Sequence, residues 1–231
     1  MPFGYYYFDP SFIILIPGLI IALYAQFKIS STFNKYSKRS TAQGQTGAQV
    51  ARRILDANGL SDVPVESVSG SLSDHYDPSK RMIRLSEDVY NKTSVAAIGV
   101  AAHECGHALQ HQQGYAPLKI RHALVPIVNI ASYASFIFLI IGMFLNAFGL
   151  VWVGIALFSA SVIFQLVTLP VEFNASSRAL AQLDDLGLTT STENNGAKKV
   201  LKAAALTYVA GTIMAILQLL RFVMIFASNR D

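Results

Sequence analysis

The amino-acid sequence predicts a mainly α-helical membrane protein with four transmembrane helices and a small α+β domain. The first observation behind this prediction is the composition. Hydrophobic residues make up 52% of the 231 residues and charged residues only 14%, whereas typical soluble domains contain about 25% charged residues. The second observation is that the charge deficit is uneven, because residues 123–171 contain no Asp, Glu, Lys, Arg or His.

The uncharged segments divide into four predicted spans. A membrane-crossing helix needs about 20 mainly apolar residues, so the 49 uncharged residues fit two spans, with turn-forming residues at 146–149 near their middle. Residues 11–27 and 203–220 are also uncharged and predict the first and fourth spans. Because residues 1–10 contain no Lys or Arg, the first span is predicted to be a permanent anchor and not a cleaved signal peptide.

The basic residues predict the orientation of the chain. Twelve of the 18 Lys and Arg residues lie within 28–121 and four more within 178–202, which leaves only Arg221 and Arg230 elsewhere. This asymmetry places both polar segments in the cytoplasm and the N-terminus outside. It also explains the net charge of +4 by membrane topology and attraction to anionic lipid heads, so no nucleic-acid partner is predicted.

These features predict five segments along the chain. They are an N-terminal transmembrane anchor at 1–27, a cytoplasmic domain at 28–122, a transmembrane hairpin at 123–171, cytoplasmic helices at 172–202, and a fourth transmembrane helix with a tail at 203–231.

Periodicity predicts the elements of the first cytoplasmic segment. They are a polar linker over 30–45, helices over 46–58 and 93–113, and short strands over 63–68 and 82–85. Ser86, which is followed by two acidic residues, predicts the N-terminus of a further short helix.

The predicted helix over 93–113 carries a metal-binding motif, His103-Glu104-Cys105-Gly106-His107. Side chains at i and i+4 lie on the same face of a helix, so both imidazoles can point at one ion. This HExxH spacing is typical of zinc peptidases, in which the glutamate acts as a general base towards a water whose pKa the zinc lowers to about 7. We therefore predict one zinc ion per chain, with His103 and His107 as ligands and Glu104 as the catalytic base.

A catalytic zinc site needs a third protein ligand. His111 lies eight residues after His103, about 12 Å along a straight helix, which is too far for the two to share an ion. The spacing of His75 and His122 does not exclude them. Glu172 directly follows the third predicted span, where it is expected to open a helix on the same side of the membrane as the motif. This position favours Glu172 as a ligand, and the alternative is a carboxylate stabilised by a helix N-terminus.

Supporting roles are predicted for further residues. Residues 74–85 fit either an edge strand that pairs with an extended peptide substrate or an ordinary hairpin. Tyr76, His75 and Arg178 are candidates for stabilising the oxyanion. Cys105 is expected to be a buried thiol, and Gly106 to allow close packing against the helix of Glu172.

The chain resembles the YugP-type neutral zinc metallopeptidases of bacteria over most of its length. The segments that carry this resemblance are Thr46-Gly47, Asn58-Gly59-Leu60, Asp74-His75-Tyr76-Asp77-Pro78, Arg84-Leu85-Ser86, Ala101-Ala102-His103-Glu104, Gly106-His107-Ala108 and Pro170-Val171-Glu172-Phe173-Asn174-Ala175-Ser176. The layout is also similar to that of HtpX-like membrane peptidases, which place a glutamate ligand after a membrane hairpin in a Glu-x-x-Ala-Asp pattern.

The resemblance implies that Glu172 is the third zinc ligand and that the domain is zincin-like, of the gluzincin type. It further implies a zinc metalloendopeptidase of the bacterial cell (inner) membrane. The four predicted spans and the orientation predicted from the basic residues then place its active site on the cytoplasmic side. Ser176 stands where the HtpX-like pattern has Asp, so the role of that aspartate is not carried over. Arg178 is a candidate to fill part of it.

Only short chain segments connect His107 and Glu172 to the neighbouring predicted spans, so the site is expected to lie at the membrane surface. Membrane-associated polypeptides are therefore the predicted substrates, and contact with membrane lipid is also predicted. Two alternatives remain. One is a site-2-type intramembrane protease, which Leu183-Asp184-Asp185-Leu186-Gly187 faintly resembles. The apolar run before His103 is too short to span the membrane, which argues against this alternative. The other is a non-catalytic zinc-binding scaffold, which would not need Glu104.

Overall fold

The structure of the chain, a computed structural model, describes residues 10–70 and 72–227. Residues 1–9 of the predicted first anchor and residues 228–231 of the predicted tail lie outside the described residues. A 3₁₀ turn at Pro10–Leu15 leads into the first helix. The elements are α1 (Ile16–Ser37), α2 (Gly47–Ala57), β1 (Val65–Val68), β2 (His75–Asp77), β3 (Met82–Ser86), α3 (Glu87–Tyr90), α4 (Val95–Gln112), α5 (Ala116–Phe144), α6 (Phe148–Asp185) and α7 (Ser191–Ala227).

Within the described residues, four helical segments are long and apolar enough to cross a membrane. They are Ser11–Ser37, Ala116–Phe144, Phe148–Asp185 and Ser191–Ala227. Large apolar side chains such as Ile130, Tyr133 and Phe136 are exposed on them, as expected of surfaces that face lipid and not water. The length and composition of these helices confirm the predicted number of four spans.

The chain divides into two compact units, and of the described residues the first contains 10–24, 121–167 and 208–227. Small residues let its helices approach closely. A Cβ at Gly154 would lie 3.0 Å from the backbone nitrogen of Leu139, and the hydroxyl of Ser135 donates to the carbonyl of Gly154 at 2.8 Å. The predicted turn at 146–149 is confirmed in its first half, because α5 ends at Phe144 and Asn146 adopts a positive φ of 50°, whereas Phe148 already begins α6.

The second unit consists of residues 25–120 and 168–207 and contains the sheet. The strand order is β1-β3-β2, with β1 parallel and β2 antiparallel to β3. The hairpin of β2 and β3 pairs His75 with Arg84, and β2 is the outer strand of the sheet. The segment is therefore a hairpin, and the pairing of β2 with a substrate stays a prediction. The edge strand β2 lies in the same unit as α4.

Helix α2 begins and ends as its sequence predicts. Thr46 forms a capping box with Gln49, in which each side chain binds the backbone N–H of the other residue. Gly59, just after the helix, has a φ of +69°, a conformation that glycine adopts without strain. Helix α3 also begins after Ser86, but the Ser86 hydroxyl donates to the carboxylate of Asp74 and does not cap the helix.

The core of the second unit lies between the sheet and helices α2, α4, α6 and α7. Its largest fully buried side chains include Ile54, Leu55, Ile83, Leu85, Ile98 and Leu183. Most of α4 is buried in this core, and Ser94 caps its first turn by accepting from the N–H of Ala97 at 3.2 Å. Burial fixes α4 firmly, so side chains along it have defined directions.

Two sequence-based expectations about helix boundaries are wrong. The predicted linker over 30–45 is helical as far as Ser37, because adding residues to an existing helix needs no new nucleation. Glu172 does not open a helix, since α6 runs without interruption from Phe148 to Asp185 with Pro170 inside it. Apolar helices of this kind tolerate an internal proline, so Pro170 marked no boundary.

Candidate metal centre

Helix α4 brings the imidazoles of His103 and His107 together. The residues are one helical turn apart, and their ring centroids lie 4.7 Å from each other with an angle of 82° between the ring planes. Both side chains are largely buried. The two rings therefore converge on one point, as the spacing predicts.

Glu172 on α6 faces both rings. Its Oε2 lies 3.2 Å from Nε2 of His103 and 3.7 Å from Nε2 of His107, and the Glu172 residue is only 3% exposed. The close approach of the two helices depends on Gly106, where a Cβ would lie 2.3 Å from the carbonyl oxygen of Ala175. The predicted packing role of Gly106 is confirmed, because any larger residue would push α6 away.

The three side chains fit a zinc ion. One ligand atom from each of His103, His107 and Glu172 lies within 4.8 Å of the others. Ligands at zinc bond lengths of about 2.0–2.2 Å in a tetrahedron are about 3.3 Å apart, close to the 3.2 Å and 3.7 Å between the carboxylate oxygen and the two imidazole nitrogens. Two imidazoles and one carboxylate are also a common donor set of catalytic zinc.

This is the only such cluster of His, Cys, Asp and Glu in residues 10–70 and 72–227. His75 and His122, which spacing left open as ligands, are not part of it. His111 is not part of it either, and its Nδ1 lies 2.7 Å from the hydroxyl of Tyr76.

The electrostatics of the site favour positive charge at its centre. Burial by itself would lower the pKa of His107, but the hydrogen bond that its imidazolium donates to Glu172 and the negative charges of Glu104 and Glu172 outweigh this effect. The pKa of His107 is therefore raised above its ordinary value. A positive charge on His107 is therefore stabilised by these two carboxylates.

Glu104 directly follows His103 on α4 and is 7% exposed. Its charge acts on His107, as described above, and also helps burial to raise the pKa of the Cys105 thiol far above its ordinary range. Cys105 is fully buried and its thiol donates to the carbonyl of Ala51 at 3.6 Å. The expected buried thiol is confirmed.

Each histidine has a second polar partner on its other ring nitrogen. Nδ1 of His103 lies 3.2 Å from the hydroxyl of Ser176, and Nδ1 of His107 lies 3.1 Å from Oε1 of Gln110. Sequence reasoning missed both contacts. The signal available was helical spacing, because Gln110 is three residues after His107 and Ser176 is four residues after Glu172.

The predicted oxyanion candidates lie in defined contacts. Tyr76 binds His111 as described, and burial raises the pKa of the Tyr76 phenol. His75 lies on β2, where its Nε2 is 3.4 Å from a guanidinium nitrogen of Arg84. Arg178 donates through Nε to Oδ1 of Asn174 at 2.7 Å.

Comparisons with known proteins agree with this picture. A family model described as "Putative neutral zinc metallopeptidase" matches residues 11–227. A protein of Bacillus subtilis (strain 168) named "Putative membrane protease YugP" is 55% identical over 216 residues, which cover 94% of this chain and 96% of that protein. No solved structure matches the chain.

The match extends through the cluster of His103, His107 and Glu172 and through all four apolar helices. The family description names the metal that the donor set of this cluster fits. The chain therefore belongs to the family of neutral zinc metallopeptidases that includes the YugP-type membrane proteins.

Proposed function

We propose that the protein is a membrane-bound zinc metalloendopeptidase that hydrolyses membrane-associated polypeptides at the cytoplasmic surface of the bacterial inner membrane. The observation that carries the proposal is the convergence of His103, His107 and Glu172 beside Glu104, in a chain of a zinc metallopeptidase family. The family supplies the reaction class, and the cluster supplies the place where it would occur.

In this proposal each side chain has one role. His103 and His107 would hold one zinc ion per chain through imidazole nitrogens, and Glu172 would hold it through a carboxylate oxygen. The bound metal would supply Lewis-acid polarisation of the peptide carbonyl and acidify a water molecule. Glu104 would accept a proton at its carboxylate from the water molecule that attacks the peptide carbonyl carbon. It would deliver this proton to the nitrogen of the leaving amine as the C–N bond breaks.

The proposal includes a zincin-like, gluzincin-type domain and the division into segments 1–27, 28–122, 123–171, 172–202 and 203–231. The antiparallel edge strand β2 supports it, because within the described residues β2 is the outer strand of the sheet and pairs with β3 alone. An extended peptide bound there would gain backbone hydrogen bonds without a fixed sequence.

Two alternatives are less well supported. A site-2-type intramembrane protease would carry the motif on a membrane-spanning helix, but α4 is not among the four apolar helices found in the described residues. A zinc-binding scaffold without catalysis would not need Glu104, whose buried charge beside a metal site has a stability cost.

The proposal is tested by metal analysis and a peptidase assay on the purified, detergent-solubilised chain. We expect one zinc ion per chain and cleavage of an unfolded casein substrate at internal peptide bonds. A chelator should abolish this cleavage, and added zinc should restore it. Metal-free protein purified in chelator-free buffer would contradict the proposal. So would cleavage that persists after the metal has been removed.

Reach along the chain supports action at the membrane surface. Glu172 directly follows the predicted span that ends at residue 171, so an ion bound to it lies within about 10 Å of the interface. Only fifteen residues separate His107 from the second predicted span. Membrane-associated polypeptides already lie at this depth, whereas soluble folded proteins do not.

We therefore expect a tethered substrate to be cleaved faster than a free one. One cleavable sequence is presented in proteoliposomes, either next to a membrane helix or as a free peptide at matched effective concentration. The tethered form should be cut at least about tenfold faster. Because the effective concentrations are matched, this difference in rate would come from the depth at which the membrane holds the substrate. Equal rates would contradict action at the surface and leave the zinc chemistry untouched.

The predicted orientation has its own test, cysteine labelling in intact cells. Cysteines introduced in exposed positions of the 28–121 segment should be protected from a membrane-impermeant reagent, and one near residue 230 should react. The native Cys105 contributes little background, because it is buried and the raised pKa of its thiol keeps it protonated. Labelling of the 28–121 segment from outside would contradict the cytoplasmic active site.

A further inference from the structure

Gln110 is a completely buried polar side chain between α4 and α6, with 0% exposure. Its amide nitrogen lies 2.8 Å from the carbonyl oxygen of Val171 and 3.0 Å from Oδ1 of Asn174. Its amide oxygen lies 3.1 Å from Nδ1 of His107. Burial of an amide is costly unless its hydrogen bonds are made, so three partners indicate a fixed arrangement.

The partners themselves determine which way the Gln110 amide points. A backbone carbonyl only accepts hydrogen bonds, so the atom next to the Val171 oxygen must be the amide nitrogen. A second argument agrees. The guanidinium of Arg178 can only donate and donates to Oδ1 of Asn174 at 2.7 Å, so Asn174 also presents an oxygen to Gln110. The atom facing His107 is therefore the amide oxygen.

An amide oxygen accepts, so Nδ1 of His107 must carry the hydrogen. In a neutral imidazole this leaves the lone pair on Nε2. Nε2 is the nitrogen that faces Glu172, at 3.7 Å from its Oε2. The tautomer that Gln110 selects is thus the one that can bind a metal in the cluster.

The same side chain acts on the third member of the cluster. Val171 immediately precedes Glu172 on α6, and the amide nitrogen of Gln110 binds the Val171 carbonyl. One side chain of α4 therefore holds α6 at the turn from which Glu172 projects. Its other end sets the tautomer of His107.

We propose that Gln110 is a positioning residue of the metal centre, which fixes His107 as its Nδ1–H tautomer and fixes Glu172 through the Val171 carbonyl. This inference rests on the proposed zinc site. Hydrogen-bond partners of metal-binding histidines typically change metal affinity by about 10- to 100-fold, so the effect is measurable.

The test compares three variants. Gln110→Leu removes both ends of the contact at similar volume. Gln110→Glu keeps an oxygen acceptor for His107 but loses the donor to Val171. Gln112→Leu is the matched control, because Gln112 lies on the same helix and also donates to a backbone carbonyl, that of Asn58 at 2.9 Å, on an exposed side.

Two quantities are measured for each protein. The zinc dissociation constant is obtained by chelator competition, and the histidine tautomers by ¹⁵N NMR of the metal-free protein at a pH where both site histidines are neutral. We expect His107 of the wild type to be Nδ1–H. Gln110→Leu should mix the tautomers and raise the zinc dissociation constant about 10- to 100-fold, and Gln112→Leu should stay within about threefold of the wild type.

Gln110→Glu should retain the Nδ1–H tautomer and lose less affinity than Gln110→Leu, which a purely structural role does not predict. An Nε2–H tautomer in the wild type overturns the inference even if no variant folds. Unchanged zinc affinity in Gln110→Leu overturns it too. A wild type that binds no zinc instead overturns the proposed function, so the two failures are distinguishable.

Discussion

Glu104→Gln is expected to abolish peptide hydrolysis while the protein keeps its zinc and its fold. Glutamine has nearly the same shape as glutamate but cannot accept a proton, so the water molecule loses its general base and the leaving amine its proton donor. Removal of a general base typically costs about 10²- to 10⁴-fold in rate. The measurements are the turnover rate on an unfolded casein substrate and the zinc content of the purified variant.

The matched control is Glu87→Gln, which makes the same substitution at an exposed glutamate in the first turn of α3. It should leave both turnover and zinc content unchanged. If Glu104→Gln retains turnover within tenfold of the wild type, Glu104 is not the base. If it loses zinc as well, Glu104 acts in binding the metal and its role in catalysis needs another assignment.

The Glu104→Gln variant also offers a way to identify substrates. A protein that binds zinc and polypeptide but does not cleave should hold its substrates long enough for them to be captured. The variant is therefore expressed in native membranes, and the proteins that copurify with it are compared with those that copurify with the wild type. Enrichment of membrane-associated polypeptides is the result expected from the position of the site.

The local parts of the site could be predicted from the sequence. His103 and His107 converge because side chains four residues apart always share a helix face, and this needs no knowledge of the tertiary fold. The limits of α2 were predictable for a similar reason, since the capping box of Thr46 and Gln49 is a contact over three residues. Short-range geometry follows directly from residue order.

Contacts between helices could not be predicted in the same way. Ser176 contacts His103, and Gln110 contacts Val171, through the close approach of α4 and α6. This approach depends on Gly106, which faces the Ala175 carbonyl across 69 residues of chain. The sequence predicted that Gly106 allows close packing, but the pairing of polar groups across the contact depends on the rotation of each helix. A shift of one residue would turn Gln110 by about 100° around the axis of α4.

Glu172 was selected as a candidate for a reason that the structure only partly supports. The sequence placed it at the start of a new helix after Pro170, whereas α6 continues through the proline. Its position on the chain, directly after the apolar segment, is unaffected by this error. What brings Glu172 to the histidines is the packing of a continuous helix, which fixes the direction of its side chain more firmly than a helix end would.

Glu172→Ala should raise the zinc dissociation constant by at least about 100-fold, because it removes one of three protein ligands from a site that needs all of them. The control is Glu87→Ala, which removes the same charge from an exposed position of α3 and should bind zinc as the wild type does. His111→Ala is a second control, since His111 binds Tyr76 and lies outside the cluster. Chelator competition on the three purified variants gives the dissociation constants.

The pH dependence of the metal-free protein tests the same contact in another way. The pKa of His107 is raised in the folded state, so its protonation stabilises the fold at pH values below about 6.5, the ordinary histidine pKa. This contribution is lost as the pH rises through the higher folded pKa. Zinc binding has the opposite dependence, because it needs the neutral imidazole.

Metal-free wild type should therefore lose stability as the pH rises above about 6.5, while its apparent zinc affinity increases over the same range. Glu172 counteracts the lowering of the His107 pKa by burial. Glu172→Ala should therefore flatten the dependence of stability on pH, and Glu87→Ala should not. Chemical denaturation of the metal-free proteins across this pH range measures the effect. A wild-type profile that is flat, or that rises with pH, would mean that Glu172 does not stabilise a charged His107, and the proposed ligand set would lose its electrostatic support.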